Sequence, residues 1–251
     1  MSQSALWTNF DKRLIKNIVK IDKENPIEFE QFFIKKNCVM DTVNLGFGWK
    51  TWSPQIGGGY ISLRGQFYYY NDSIVSYKIS PELPSENELV NKYKHWYGDY
   101  FSYSENVILP LKSELEILSQ PLTEYDGLII TDSLRPIFQE YMHPGSGSIY
   151  GVRGGYKNEL LYNRKLFLSF SDSLENEELL LMMYSINPVS RFTAIEYYWR
   201  NIKQFPQSDI IDAWIESCFL EVPKIKSMKG SVIRSEDSKS LVLGYSQTKN
   251  L

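Results

Sequence analysis

Between Val43 and Ser80 the spacing of the apolar residues changes from a helical period to the alternation that is typical of a β-strand. The segment YISLRGQFYYYNDSIVSYKIS, residues 60–80, contains two such runs, and Asn71-Asp72 between them tolerates the left-handed backbone of a tight turn. Alternation makes one face of each strand wetter than the other, as in an antiparallel sheet with one solvated face. The segment therefore predicts a β-hairpin within an antiparallel sheet.

Helices with recognisable starts are predicted on both sides of this sheet. Thr8 and Asp11 have the spacing of a capping box, in which side chains satisfy the first backbone N–H groups of a helix. Asn25 followed by proline is typical of a second helix start, and Ser85 with Glu88 repeats the capping-box spacing. Two helices are therefore expected before the sheet, and a third is expected to follow and cover it.

A turn-rich stretch near the middle of the chain predicts a boundary between two regions. Gln120–Gly127, QPLTEYDG, concentrates turn-forming residues. It follows an apolar run at residues 104–122, which we predict to be helical although it contains Pro110. The chain is expected to form a domain of helices and antiparallel sheet over residues 1–120. A second α+β domain, with C-terminal helices and a basic tail, is expected over residues 121–251.

The second region is predicted to be mainly helical. Pro136 falls in the first turn of one expected helix, and Asp172, Asn187 and Ser208 each cap a further helix within residues 172–220. Strand composition occurs at LIIT (128–131), in the second half of NELLYNRKLFLSFS (158–171) and at SLVLGY (240–245). The whole pattern predicts an α+β fold, in which an antiparallel sheet with N-terminal helices is followed by a smaller sheet and a C-terminal helical layer.

Composition limits the partners and the compartment. The formal net charge of −3 is too close to neutral to indicate a polyanionic partner, and the 18 Tyr, 13 Phe and 6 Trp predict packing dominated by aromatic rings. Cys38 and Cys218 are far apart in sequence and are expected to be free, buried thiols. No apolar run resembles a membrane span or a secretory signal. We therefore expect a soluble cytoplasmic protein with neither a membrane nor a nucleic acid as partner.

One stretch, HPGSGSIYGVRGGY at residues 143–156, has the composition of a functional loop. It lacks the Gly-Lys-Ser/Thr of a phosphate-binding loop and the Gly-x-Ser-x-Gly of a nucleophile elbow, and it has Tyr150 where a dinucleotide fingerprint needs glycine. We expect instead that Gly145 is the C-cap of the preceding helix. The loop would then display Tyr150, Arg153 and Tyr156 to solvent or to a partner.

Other kinds of site find little support in the sequence. The two histidines, His95 and His143, lack the spacing of a zinc motif. A magnesium site made of carboxylates and a carboxylate-pair glycosidase leave no short motif, so both stay open. The run VPKIKSMKGSVIR, residues 222–234, carries four positive side chains, but the SED that follows it dilutes this charge. Glu196 and Arg200 have the spacing of a helical ion pair.

Abundant aromatic residues, a loop bearing Tyr and Gly, and no compact catalytic motif together predict a non-catalytic protein-binding module. An inhibitor or immunity protein that neutralises a partner protein is the specific form of this hypothesis. The expected binding residues are His143, Tyr150, Arg153 and Tyr156. The alternative is a hydrolase or transferase with a dispersed acid/base site, for which Arg153, His143 and Glu159 form the nearest group. Neither a cofactor nor a metal is expected.

Overall fold

The structure is a computed structural model that describes residues 3–22, 25–36, 38, 42–101, 106–107, 136–205 and 208–248. Its described residues form two compact units, one of residues 3–44 and 48–107 and one of residues 45–47 and 136–248. The boundary predicted at Gln120–Gly127 lies outside the described residues, so the domains 1–120 and 121–251 stay a prediction. The strand predicted at 128–131 also lies outside them, as does the helix predicted at 104–122 except for Asn106–Val107, which form a strand instead of a helix.

The predicted antiparallel sheet consists of residues that belong, except for Leu45 and Gly46, to the first unit. Its strands are Thr42–Gly46 (β1), Trp49–Trp52 (β2), Gln55–Ile56 (β3), Ser62–Tyr70 (β4), Ser73–Glu82 (β5) and Asn106–Val107 (β6). They are ordered β1-β2-β4-β5-β6, and β3 also pairs with β4. The β2–β4, β3–β4, β4–β5 and β5–β6 pairs are antiparallel. Asn71 and Asp72, with φ of 47° and 64°, form the turn between β4 and β5, which confirms the predicted hairpin.

Three helices of this unit accompany the sheet, namely Gln3–Ile18 (α1), Pro26–Lys35 (α2) and Asn87–Phe101 (α3). Asn25 caps α2 as predicted, because its side chain accepts a hydrogen bond from the N–H of Glu28 at 3.2 Å. Aromatic rings fill the space between these helices and the sheet. Phe33 of α2 meets Trp52 and Phe67 edge to face, and all three rings are buried.

The start predicted for the first helix is wrong, because α1 already begins at Gln3 and Asp11 lies inside it. Asp11 is fully buried, and its carboxylate accepts hydrogen bonds from the backbone N–H of Tyr60 (3.0 Å) and Ile61 (3.4 Å) and from the Tyr93 hydroxyl (2.6 Å). A Cβ on Gly59 would lie 1.8 Å from a carboxylate oxygen of Asp11. The acid that looks like a capping residue therefore holds a distant glycine turn instead.

The second unit is mainly helical, as predicted. Its helices are Pro136–Met142 (α4), Tyr162–Leu168 (α5), Asn176–Met183 (α6), Pro188–Arg200 (α7), Asp209–Glu221 (α8) and Ser238–Ser246 (α9). The two smaller sheets are the hairpins Arg153–Gly154 (β7) with Glu159–Leu160 (β8), and Lys224–Lys229 (β9) with Val232–Asp237 (β10). Asn187 caps α7 and Ser208 caps α8, as predicted. Ten of the thirteen residues of α7 are buried, so this helix lies at the centre of the core.

Three local predictions in the second unit are wrong. The second half of residues 158–171 forms helix α5 instead of a strand, and SLVLGY lies in helix α9, which Asp237 caps through the N–H of Ser240 at 2.8 Å. Helix α6 begins at Asn176, as predicted, but its N-cap is Glu175 and not Asp172, because the Glu178 carboxylate accepts the Glu175 N–H. The two strand errors share a cause, since a short apolar run fits a buried helix turn as well as a strand.

Both cysteines are free, as predicted. Cys218 is buried, and burial raises the pKa of its thiol to about 11. Cys38 is only half-buried, so the expectation of burial is wrong for this residue. None of the described helices is both long enough and apolar enough to cross a bilayer.

Candidate binding surface

The loop of residues 143–156 starts where helix α4 ends. The helix stops at Met142, and Pro144–Ser146 forms one turn of 3-10 helix. His143 is half-buried, and its Nδ1 accepts the N–H of Gly145 at 3.0 Å. Gly145 is not a left-handed C-cap, because its φ is not positive, so that part of the prediction is wrong. The predicted end of the helix itself is confirmed.

Buried polar side chains hold the first part of this loop. The Ser146 hydroxyl donates to the carbonyl of Tyr141 at 2.8 Å, and the Asn163 amide donates to the hydroxyls of Ser146 and Ser190 at 3.0 and 2.6 Å. The Tyr141 hydroxyl in turn donates to the carbonyl of Ser190 at 2.7 Å. All four side chains are buried. The network therefore joins the loop to helices α4, α5 and α7 by bonds that exclude water.

Asn187 adds a second set of bonds to the same stretch. Its side-chain oxygen accepts the N–H of Val189 at 2.9 Å, which caps α7. Its amide nitrogen donates to the Ser146 hydroxyl at 2.9 Å and to the carbonyls of Gly147 and His143 at 2.9 and 3.2 Å. One residue thus starts the central helix and fixes the backbone of the loop.

Tyr150 is buried, with 0% of its surface exposed, so the expectation that the loop displays it is wrong. Its hydroxyl donates to Oε2 of Glu196 at 2.6 Å. Two guanidinium groups bind the same carboxylate: Arg164 is bidentate at 2.6 and 3.2 Å, and Arg200 donates to Oε1 at 2.8 Å. The Arg164 Nε also donates to the carbonyl of Gly151 at 3.1 Å. Tyr150 thus anchors the loop from inside the core. Its hydroxyl binds the ionic cluster, which consists of Glu196, Arg164 and Arg200.

Burial raises the pKa of the Tyr141 and Tyr150 hydroxyls above their ordinary value of 10.0, and the negative charge of Glu196 adds to the increase for both. The unfolded chain ionises its tyrosines near that ordinary value, so above it the native state holds protons that the unfolded state releases. The stability that these groups contribute is therefore fully present below pH 10 and is lost as the pH rises.

We predict that the free energy of unfolding falls as the pH rises above about 10, at a rate of up to about 1.4 kcal/mol per pH unit for each such tyrosine. Urea unfolding followed by circular dichroism across this range measures the slope. Tyr150→Phe lacks one of the groups and should show a shallower alkaline slope. Identical slopes for the two proteins would contradict the assignment.

The second part of the loop joins the β9–β10 hairpin. The N–H of Tyr150 donates to the carbonyl of Lys226 in β9 at 2.8 Å. Gly154 approaches the same strand so closely that a Cβ would lie 2.2 Å from the sulfur of Met228. The loop and the hairpin therefore form one surface with a fixed backbone.

The exposed side chains of the loop and of both faces of the hairpin are aromatic, apolar and basic. Tyr156 is 98% exposed, and the N–H of Gly155 before it donates to the carbonyl of Gly230 at the hairpin turn, at 2.8 Å. Val232 and Ile233, just beyond that turn, are exposed large apolar side chains. We call the exposed side chains here the loop-hairpin surface; they are Arg153, Tyr156, Lys224, Lys226, Lys229, Val232, Ile233 and Arg234.

The structure distributes the predicted site residues between two roles. Arg153 and Tyr156 are exposed on the loop-hairpin surface, whereas Tyr150 anchors it from inside. Arg153 donates to the carbonyl of Asn158 at 3.3 Å, and Glu159 is exposed on the neighbouring strand β8. Among the described residues, no three His, Cys, Asp or Glu side chains gather as they would around a metal ion.

Sequence reasoning foresaw one contact of the ionic cluster and missed the others. The spacing of Glu196 and Arg200 predicts their ion pair, which the structure confirms at 2.8 Å. Arg164 and Tyr150 are far from Glu196 in sequence, so no local spacing predicts their contacts with it. The available signal was an acid within a helix rich in apolar residues, since such an acid needs a partner if the helix is buried.

Comparison with known proteins gives one weak match. A 1,4-alpha-glucan branching enzyme of Picrophilus torridus is 28% identical over an alignment 167 positions long, and the alignment covers 59% of this chain. The chain covers 23% of the length of that enzyme, so the likeness concerns a part of it. No protein-family model matches the chain, and no solved structure matches it.

Proposed function

We propose that this chain is a cytoplasmic, non-catalytic protein-binding module that contacts its partner through the loop-hairpin surface. The observation that carries the proposal is Tyr156, an aromatic side chain that is almost fully exposed on a loop whose backbone is fixed on both sides. An aromatic anchor on a rigid loop loses little conformational entropy on binding, which is why tyrosine is enriched at energetically dominant interface positions.

The internal polar groups of the loop support the same proposal. Arg164, Glu196 and Tyr150 bind one another, so the chemically active side chains near the loop serve to hold its shape. The exposed side chains that remain are aromatic, apolar and basic, a mixture that suits recognition. An inhibitor or immunity protein, which binds and neutralises a partner protein, is the specific form that we propose.

Affinity capture from a native cell extract tests this proposal. The tagged wild-type chain is expected to retain a partner protein in a stoichiometric amount, and Tyr156→Ala is expected to lose it. Leu220→Ala provides the matched control, because Leu220 is another large exposed side chain, 79% accessible, but lies on helix α8. A chain that stays alone and turns over a substrate would contradict the proposal.

The alternative is a transferase or hydrolase that acts on a glucan, and the match to the branching enzyme favours it. Its residues would be His143, Arg153 and Glu159. Incubation with a 1,4-alpha-glucan, followed by analysis of the linkages formed or released, distinguishes the two proposals. An activity that Glu159→Gln abolishes would support the enzyme, whereas an unchanged glucan would support the binding module.

A further inference from the structure

Strand β10 forms the free edge of its hairpin. Among the described residues it pairs with β9 alone, in a register that places Val232 opposite Lys229 and Arg234 opposite Ser227. Gly230 and Ser231 form a two-residue turn, so Val232 and Lys229 exchange both backbone hydrogen bonds, as does every second pair after them. The N–H and C=O groups of the intervening residues then point away from the hairpin.

Because of this alternation, the backbone N–H and C=O groups of Ile233 and Ser235 point away from β9. The same alternation holds at the opposite edge of the hairpin, which is strand β9. Lys226 is paired with Ser235, and its carbonyl points outward from β9, where it accepts the N–H of Tyr150 at 2.8 Å. One edge of the hairpin is thus occupied by the loop, and the other presents donors and acceptors in the spacing that an added strand needs.

The charges along this edge favour one kind of strand. The hairpin, residues 224–237, carries four basic and two acidic side chains. Both acids already have partners within the chain: Glu236 binds the Ser227 hydroxyl and lies 4.0 Å from Lys229, and Asp237 caps α9. Arg234 lies on β10 itself, and the lysines lie on the neighbouring strand β9, so the hairpin as a whole carries two more positive than negative side chains.

We infer that β10 accepts an extended acidic segment of the partner protein as an additional antiparallel strand, an inference that rests on the proposed function. Backbone bonds to Ile233 and Ser235 hold the segment, its acidic side chains lie on the face of the hairpin that carries Arg234, and its apolar side chains lie on the opposite face beside Ile233. The edge is short and charged, so it is protected from chance pairing and favours a partner of complementary charge.

Two synthetic peptides with alternating residues test the inference, one alternating valine with glutamate and the other alternating valine with lysine. The wild-type chain is expected to bind the glutamate peptide, and amide hydrogen exchange at Ile233 and Ser235 is expected to slow. Ser235→Pro removes an outward N–H without removing a bond to β9, so it should weaken binding by about tenfold or more. The matched variant Ser235→Thr keeps that N–H and should bind as wild type does.

Equal binding by Ser235→Pro, tighter binding of the lysine peptide, or no binding of the glutamate peptide would overturn the inference. A single-stranded oligonucleotide that binds more tightly than the glutamate peptide would overturn it as well, because the cations would then serve a nucleic acid. Circular dichroism of each variant shows that the fold is retained. If Tyr156→Ala loses the captured partner while Ser235→Pro keeps it, the proposed function stands and strand addition is wrong.

Discussion

Replacing Glu196 by alanine is expected to lower the free energy of unfolding by about 3–5 kcal/mol. The carboxylate is 1% exposed and is the shared counter-charge of Arg164 and Arg200, so its loss leaves a buried guanidinium without an anion. It also removes the acceptor of the Tyr150 hydroxyl, which frees the middle of the loop. Urea denaturation at neutral pH, followed by circular dichroism, measures the change.

The two arginines provide graded controls. Arg164 is as buried as Glu196, so Arg164→Ala should destabilise the protein by a similar amount, and the double variant should cost much less than the sum of the two changes. Arg200 is partly exposed, so Arg200→Ala should cost about 1 kcal/mol or less. A Glu196→Ala variant no less stable than Arg200→Ala would show that the cluster does not hold the loop.

Asn187→Ala is expected to cost about 2–4 kcal/mol, because this one side chain has two functions. It caps helix α7, which is worth about 1 kcal/mol, and it donates to the Ser146 hydroxyl and to the carbonyls of Gly147 and His143, so its loss removes three further hydrogen bonds to the loop. Ser208→Ala is the matched control, since the Ser208 hydroxyl caps α8 through the N–H of Ile211. The difference in unfolding free energy between the two variants measures the anchoring of the loop, and equal costs would contradict it.

The fold class could be predicted because it depends on local patterns. Alternation and the Asn71-Asp72 turn predict the β4–β5 hairpin, and Asn25, Asn187 and Ser208 predict the starts of α2, α7 and α8, all of which the structure confirms. These signals are local because a cap or a turn is satisfied within three or four residues. The same patterns fail where a residue serves a distant segment.

Asp11 and Tyr150 show why the rest could not be predicted. Asp11 has capping-box spacing but accepts hydrogen bonds from Tyr60, Ile61 and Tyr93, far away in sequence. Tyr150 lies in a glycine-rich loop, which favours exposure, yet Glu196 and Arg164 bury it. A buried polar group needs a partner, and the fold alone decides which part of the chain supplies it.

The dissociation rate of the captured partner from the immobilised chain tests most directly the claim that the loop-hairpin surface binds a protein. Removing an exposed aromatic anchor typically costs about 2 kcal/mol or more, so Tyr156→Ala should speed dissociation about thirtyfold, with little change in the association rate. Leu220→Ala should leave both rates unchanged. Equal dissociation rates for the wild type and Tyr156→Ala would contradict the account.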